Sequence, residues 1–192
     1  MNVTNSTQSI LLDGEVNQSL YYEVEKFLQD LVDAGSPSAT ININLLGGDT
    51  LTGLTIFQML REYGGHVTGK VFQRCESSAV VILQGCDTRI AYPSSEFLIH
   101  HARNFAGFDS GMFHEDLSLN ERGKQKAQQL LAARDETLKA LLYRASLVGT
   151  SREQLLEVFE RDENILATEA LKLGLIDQIT SCLDTPFASK QQ

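Results

Sequence analysis

Apolar and polar positions along the chain change period repeatedly, and each change marks an element. "ILLDGEVN" reads as a short strand, after which Leu20, Val24, Phe27, Leu28 and Leu31 recur at helical spacing until Gly35 and Pro37 break the pattern. "TININL", Thr40 to Leu45, alternates as a strand does. "GGDTLTG" follows, then the apolar stretch "LTIFQML", read as a helix that stops at Gly64 and Gly65. "HVTGKVF" is a third strand, "AVVILQG" a short buried helix, and "TRIAY" and "EFLIHH" are two strands around the turn residues Pro93, Ser94 and Ser95.

A long helix is expected from about Asn120 to Val148, striped by Ala127, Leu130, Leu131, Leu138, Leu141, Leu142 and Ala145, with Gly149 as its C-terminal cap. "TSRE" restarts a helix, Thr150 and Glu153 having capping-box spacing, and "EQLLEVF" supplies its apolar face up to the charged "ERDEN". A short helix "ATEALKLG" and a closing strand "LIDQI" come last. The alternation predicts α/β layers. No repeat or interdomain linker interrupts it, so one domain is expected over 11–180, between a short N-terminal segment (1–10) and a polar tail (181–192).

Composition narrows the function classes. A chain of 192 residues, 42% hydrophobic and 21% charged, is long enough for one domain with a substantial core. Its net charge of -9 opposes attraction to phosphate backbones and anionic lipid, so neither a nucleic-acid nor a membrane partner is expected. No apolar run reaches the length of a membrane span, and "MNVTNSTQSILLDG" lacks the basic and long apolar regions of an export signal. Cys75, Cys86 and Cys182 are odd in number and lack C-x-x-C spacing, which suggests neither a disulfide framework nor a zinc site. A reducing cytoplasm fits, with no metal and no cofactor expected.

Three segments carry candidate chemistry, and each has a plainer reading. "NLLGG", Asn44 to Gly48, lies where a strand gives way to a helix; its glycines let backbone N–H groups face a cavity, or simply make a tight turn. Ser77 precedes a buried helix, and His100 ends a strand as a general base would; alternatively Ser77 or Ser78 caps that helix and His100 is a satisfied core histidine. Asp162, between two helices, has the chemistry to orient an imidazole, or is an exposed helix-end charge.

Taken together these segments resemble the proteolytic subunit of the Clp protease (ClpP), a serine peptidase of the Clp/crotonase superfamily. The resemblance runs from about Leu11 to Ile179 and rests on "INLLGG", "CESSAVV", "RIAYPSSEFLIHH", "ERDENILATEA" and "GLID" in the family's order. It implies a Clp/crotonase-like superhelix of β-β-α units with a helical handle. Ser77 is then similar to the nucleophile, His100 to the base and Asp162 to the orienting carboxylate, with the backbone N–H groups of Gly48 and Ser78 as oxyanion hole.

The resemblance further implies a serine endopeptidase acting on peptides or unfolded polypeptide, enclosed in a homo-oligomer of heptameric rings, single or stacked. Departures from the pattern keep two alternatives open, a catalytically reduced structural subunit of a mixed ring and an acyl-CoA enzyme on the crotonase scaffold. Glu76 stands beside the serine, Gln73 where glycine is usual and Leu46 where proline is usual. The segment "HARNFAGFDSGMFHEDLSLNERG" is longer than its counterpart, and only about ten residues precede the first strand, which leaves partnership with a Clp-type ATPase open. Shorter sequences of this kind resemble the Clp-like proteases of bacteriophages and mobile elements.

Overall fold

Residues 8–100 and 121–181 are described in a computed structural model of the chain. The expected alternation is present: β1 (Gln8–Val16), α1 (Gln18–Asp33), β2 (Ala39–Gly48), α2 (Thr50–Glu62), β3 (Val67–Glu76), α3 (Ser78–Gln84), β4 (Thr88–Ala91) and β5 (Glu96–Leu98). After them come α4 (Glu121–Ala145) with a closing 3-10 turn, α5 (Arg152–Arg161), β6 (Asn164–Leu166), α6 (Ala167–Lys172) and β7 (Gln178–Ile179). Strands β1, β2, β3, β4 and β7 pair in that order, all parallel, so the helices between them are crossover connections.

The core lies on one face of this sheet. Leu12, Ile41, Ile43, Leu45, Val67 and Val71 are buried there against Leu20, Val24, Leu28, Ile56 and Leu60 of the helices. The opposite face alternates with it, as the period of two requires, and presents half-buried Thr40, Asn42, Asn44 and Lys70 and an exposed Phe72 stacked on Tyr92. The C-terminal half of α4 packs on α2 and α3 through Leu138, Leu141 and Ala145, whereas the side chains of Ala127, Leu130 and Leu131 lie outside the described residues.

β3 divides its partners. Thr68 to Val71 pair with β4, while Arg74 to Glu76 pair with β5, which pairs antiparallel with β6. The turn at Pro93–Ser95 makes this change possible: Ser95 is fully buried, its N–H bonds Tyr92 C=O at 3.0 Å, and its Oγ donates to Val71 C=O at 2.8 Å, where β4 leaves β3.

Two readings shift. The capping box of α5 is built by Ser151 and Gln154, not Thr150 and Glu153. Gly149, in the left-handed conformation (φ 83°), closes the preceding helix, and the Thr150 N–H returns to Ala145 C=O, so Thr150 still belongs to that closure. The charged "ERDEN" contains the start of β6, and the closing strand is shorter than "LIDQI" because Leu175 and Ile176 turn into the core.

The "GLID" segment is fastened by Arg89, which is 3% exposed and grips both carboxylate oxygens of Asp177, through Nε at 3.0 Å and Nη2 at 2.5 Å. Its Nη1 donates to Gln84 Oε1 at 2.5 Å and to Gly174 C=O at 2.9 Å, which joins α3, β4 and the approach to β7. Burial alone would raise the Asp177 pKa, but the bonds and charge of Arg89 outweigh it and hold the carboxyl below its usual value. A depressed native pKa stabilises the fold above the unfolded value, near 3.9, and that contribution is lost as pH falls toward the native value. Asp177→Asn, which leaves Arg89 buried without its anion, is therefore expected to cost about 2 kcal/mol in denaturant unfolding at pH 7. The gap to the parent protein should narrow at pH 3.

Candidate active site

β3 passes into α3 through a single strained residue. Ser77 has φ 53° and ψ −122°, a conformation that costs a residue with a Cβ on the order of 1–3 kcal/mol and persists only where its surroundings impose it. Its N–H donates to Leu98 C=O of β5 at 2.7 Å and its C=O accepts from the Val80 N–H at 3.0 Å. A half-buried serine on a sharp strand-to-helix turn is the local geometry that nucleophilic serines use. Ser77 stands at the N-cap of α3, but its side chain makes no cap hydrogen bond.

Ser78 is placed differently. It is 4% exposed, its Oγ is buried without a hydrogen-bond partner among the described residues, and a Cβ on Gly53 of α2 would sit 2.9 Å from its own Cβ. This hydroxyl is packed under α2, away from water.

The glycine pair is pressed onto the serine elbow. Gly47 has φ 80°, and a Cβ there would lie 2.6 Å from Ser77 Cβ and 2.7 Å from Glu76 C=O. At Gly48, φ 143°, a Cβ would lie 2.4 Å from Val16 C=O. Both positions need glycine for conformation and for space. The contact between this turn and Ser77 has no counterpart in a plain tight turn.

His100 follows β5 and brings its Nδ1 to 3.5 Å from Asp162 Oδ1, with the imidazole 16% and the carboxylate 36% exposed. That separation is longer than a tight hydrogen bond. Asp162 ends α5 in the left-handed conformation (φ 49°, ψ 42°), which turns the chain into β6. The antiparallel pairing Leu98↔Asn164 then carries Asp162 to His100. The strand that sets this pairing, β6, is not among the elements expected from the sequence; a buried Ile165 between exposed Asn164 and Leu166 is its faint signal.

Neighbouring groups are less suited to chemistry. Burial pushes the Cys75 thiol well above its usual value, with Cys86 and Glu76 adding to the shift. Burial and Asp87 push Cys86 up to about 12 against the opposing charges of Arg89 and Arg144. Neither thiol supplies a thiolate near neutral pH. Glu76 meets Arg74 Nε at 3.8 Å. Among the described residues no group of three or more His, Cys, Asp or Glu side chains is arranged to hold a metal, and no helix is long and apolar enough to cross a membrane. His101, Cys182 and the long segment 101–120 lie outside the described residues.

Comparison with known proteins bears on the family and the fold. The family model for Clp protease matches residues 1–182. An ATP-dependent Clp protease proteolytic subunit of Deinococcus radiodurans is 32% identical over 153 residues, covering 78% of this chain and 69% of the relative. Proteolytic subunit 1 of Nocardia farcinica is 30% identical over 159 residues, covering 78% and 72%. Among solved structures, ClpP1 from Listeria monocytogenes superimposes with a TM-score of 0.71 at 22% identity over 90% of this chain and 91% of that one, and a mutant of it gives 0.73 over 92% and 93%. The fold is thus the mixed α/β architecture of these structures. By the breadth of the family match and the identity to its curated relatives, the chain belongs to the Clp protease family, and a Clp-type peptidase is the activity that membership supports.

Proposed function

We propose that the chain is a serine endopeptidase in which Ser77 is the nucleophile, His100 the general base and Asp162 the residue that orients it. The observation that carries this reading is a convergence at β5: Leu98 accepts the Ser77 N–H, and His100, two residues on, contacts Asp162. Ser77 Oγ attacks the peptide carbonyl carbon as His100 takes its proton. The resulting oxyanion is held by the backbone N–H groups of Gly48 and Ser78, a contribution of about 3 kcal/mol per donor. His100 returns the proton to the leaving amine, the C–N bond breaks, and water activated by His100 releases the acyl group from Ser77. Asp162 fixes the imidazole tautomer and stabilises the imidazolium. The buried, packed Ser78 hydroxyl supports Ser77 as the attacking group and leaves Ser78 a backbone role.

The assembly belongs to the same proposal: a homo-oligomer of heptameric rings, single or stacked, enclosing the sites and admitting peptide or unfolded polypeptide. Parallel sheets are ordinarily covered on both faces, yet the face bearing Asn42, Asn44, Lys70 and Phe72 is not covered by the described residues, which supports a neighbouring subunit there.

Ser77→Ala should abolish hydrolysis of a fluorogenic peptide while keeping the far-ultraviolet circular dichroism of the parent. Ser78→Ala should keep substantial turnover; the opposite ranking would move the nucleophile. Asp162→Asn should lower kcat by about 10⁴, and a fully active variant would reduce Asp162 to a surface charge. Light scattering after size exclusion should give a particle several times the 21.2 kDa chain, whereas a monomer at micromolar concentration would contradict the chamber.

A further inference from the structure

The register around the site places Glu76 on the same face as the His100–Asp162 pair. Directly paired residues of adjacent strands share a face, and so do alternate residues of one strand. Glu76 pairs with Leu98, and Leu98 pairs with Asn164. Half-buried Glu96, Leu98 and His100 alternate with buried Phe97 and Ile99, so His100 continues the face that Leu98 occupies. Asp162, two residues before Asn164, meets His100 there. Glu76 is thus the residue preceding the serine elbow, on the face of the imidazole and diagonal to it, since its register partner Leu98 stands two residues before His100.

Its charge is poorly compensated. The Glu76 side chain is 15% exposed, and the cation it meets, Arg74, stands at 3.8 Å with 45% of its own side chain in water. Glu96, the register partner of Arg74, instead accepts from Asn164 Nδ2 at 3.2 Å. A covered carboxylate with a distant, solvent-exposed counter-ion favours any cation delivered to it, and exposed Leu46, next to the Leu45 that pairs with Cys75, suits the methylene stem of a long basic side chain.

We propose, resting on the peptidase reading of the site, that Glu76 selects substrates carrying lysine or arginine beside the bond that Ser77 attacks. The carboxylate pairs with the ammonium or guanidinium as the peptide settles, and Arg74 moderates that preference by competing for it.

The test uses internally quenched peptides that carry lysine, or norleucine as its uncharged counterpart, at each position around one cleaved bond. Because both peptides are read on the same enzyme at the same pH, any change in His100 protonation cancels from their ratio. At one position next to the cleaved bond, kcat/KM for lysine should exceed that for norleucine about tenfold at low ionic strength, shrinking as salt rises. Glu76→Gln should bring the ratio to about one, and Arg74→Gln should raise it. A ratio near one in the parent protein, or one that Glu76→Gln leaves unchanged, overturns this inference while leaving the peptidase reading intact. Hydrolysis of no peptide by the parent protein overturns the peptidase reading and the inference with it.

Discussion

One strand changing neighbours organises the molecule. β3 begins beside β4 as an ordinary member of a parallel sheet and ends beside β5, which opens a short branch of the same sheet with β6. The end of β3 becomes the elbow at Ser77, β5 delivers His100, and β6 draws Asp162 toward it. Fully buried Ser95 holds the branch, its hydroxyl bonded to the Val71 carbonyl where β4 departs. Three distant stretches of sequence therefore meet because backbone pairing, not any direct side-chain attraction, brings them together.

Strain at the elbow is balanced by its surroundings. Ser77 keeps its unfavourable φ because β5 holds its N–H, α3 begins immediately after it, and Gly47 closes over it with no room for a side chain. Behind it, buried Ser78 and close-set Gly53 seat α3 against α2, so the helix start is fixed. A rigid, preorganised turn of this kind is what a nucleophile requires, since small displacements cost rate steeply.

Much of the fold was legible because long elements repeat their period. The helical spacing from Leu20 to Leu31 and the alternation in "TININL" each appear where the residues put them. Short elements were not: β6 has three residues, too few for a period, and its existence is fixed by pairing with β5. The capping box moved one residue because a tertiary-independent rule, the closure of the preceding helix at Gly149, claimed Thr150 first. The contacts around the candidate site were invisible for a similar reason. Gly47 against Ser77 and Glu76 on the face of His100 join residues that sequence spacing cannot relate.

In the proposed mechanism one hydroxyl, at residue 77, is carried on a strained backbone and activated by His100. Reaction of the parent protein with a fluorophosphonate, followed by tandem mass spectrometry of the digested chain, reads this directly. A single adduct on Ser77 is expected, formed faster as pH rises through the range where an imidazole loses its proton. An adduct on Ser78, or no adduct on a folded chain, would contradict it.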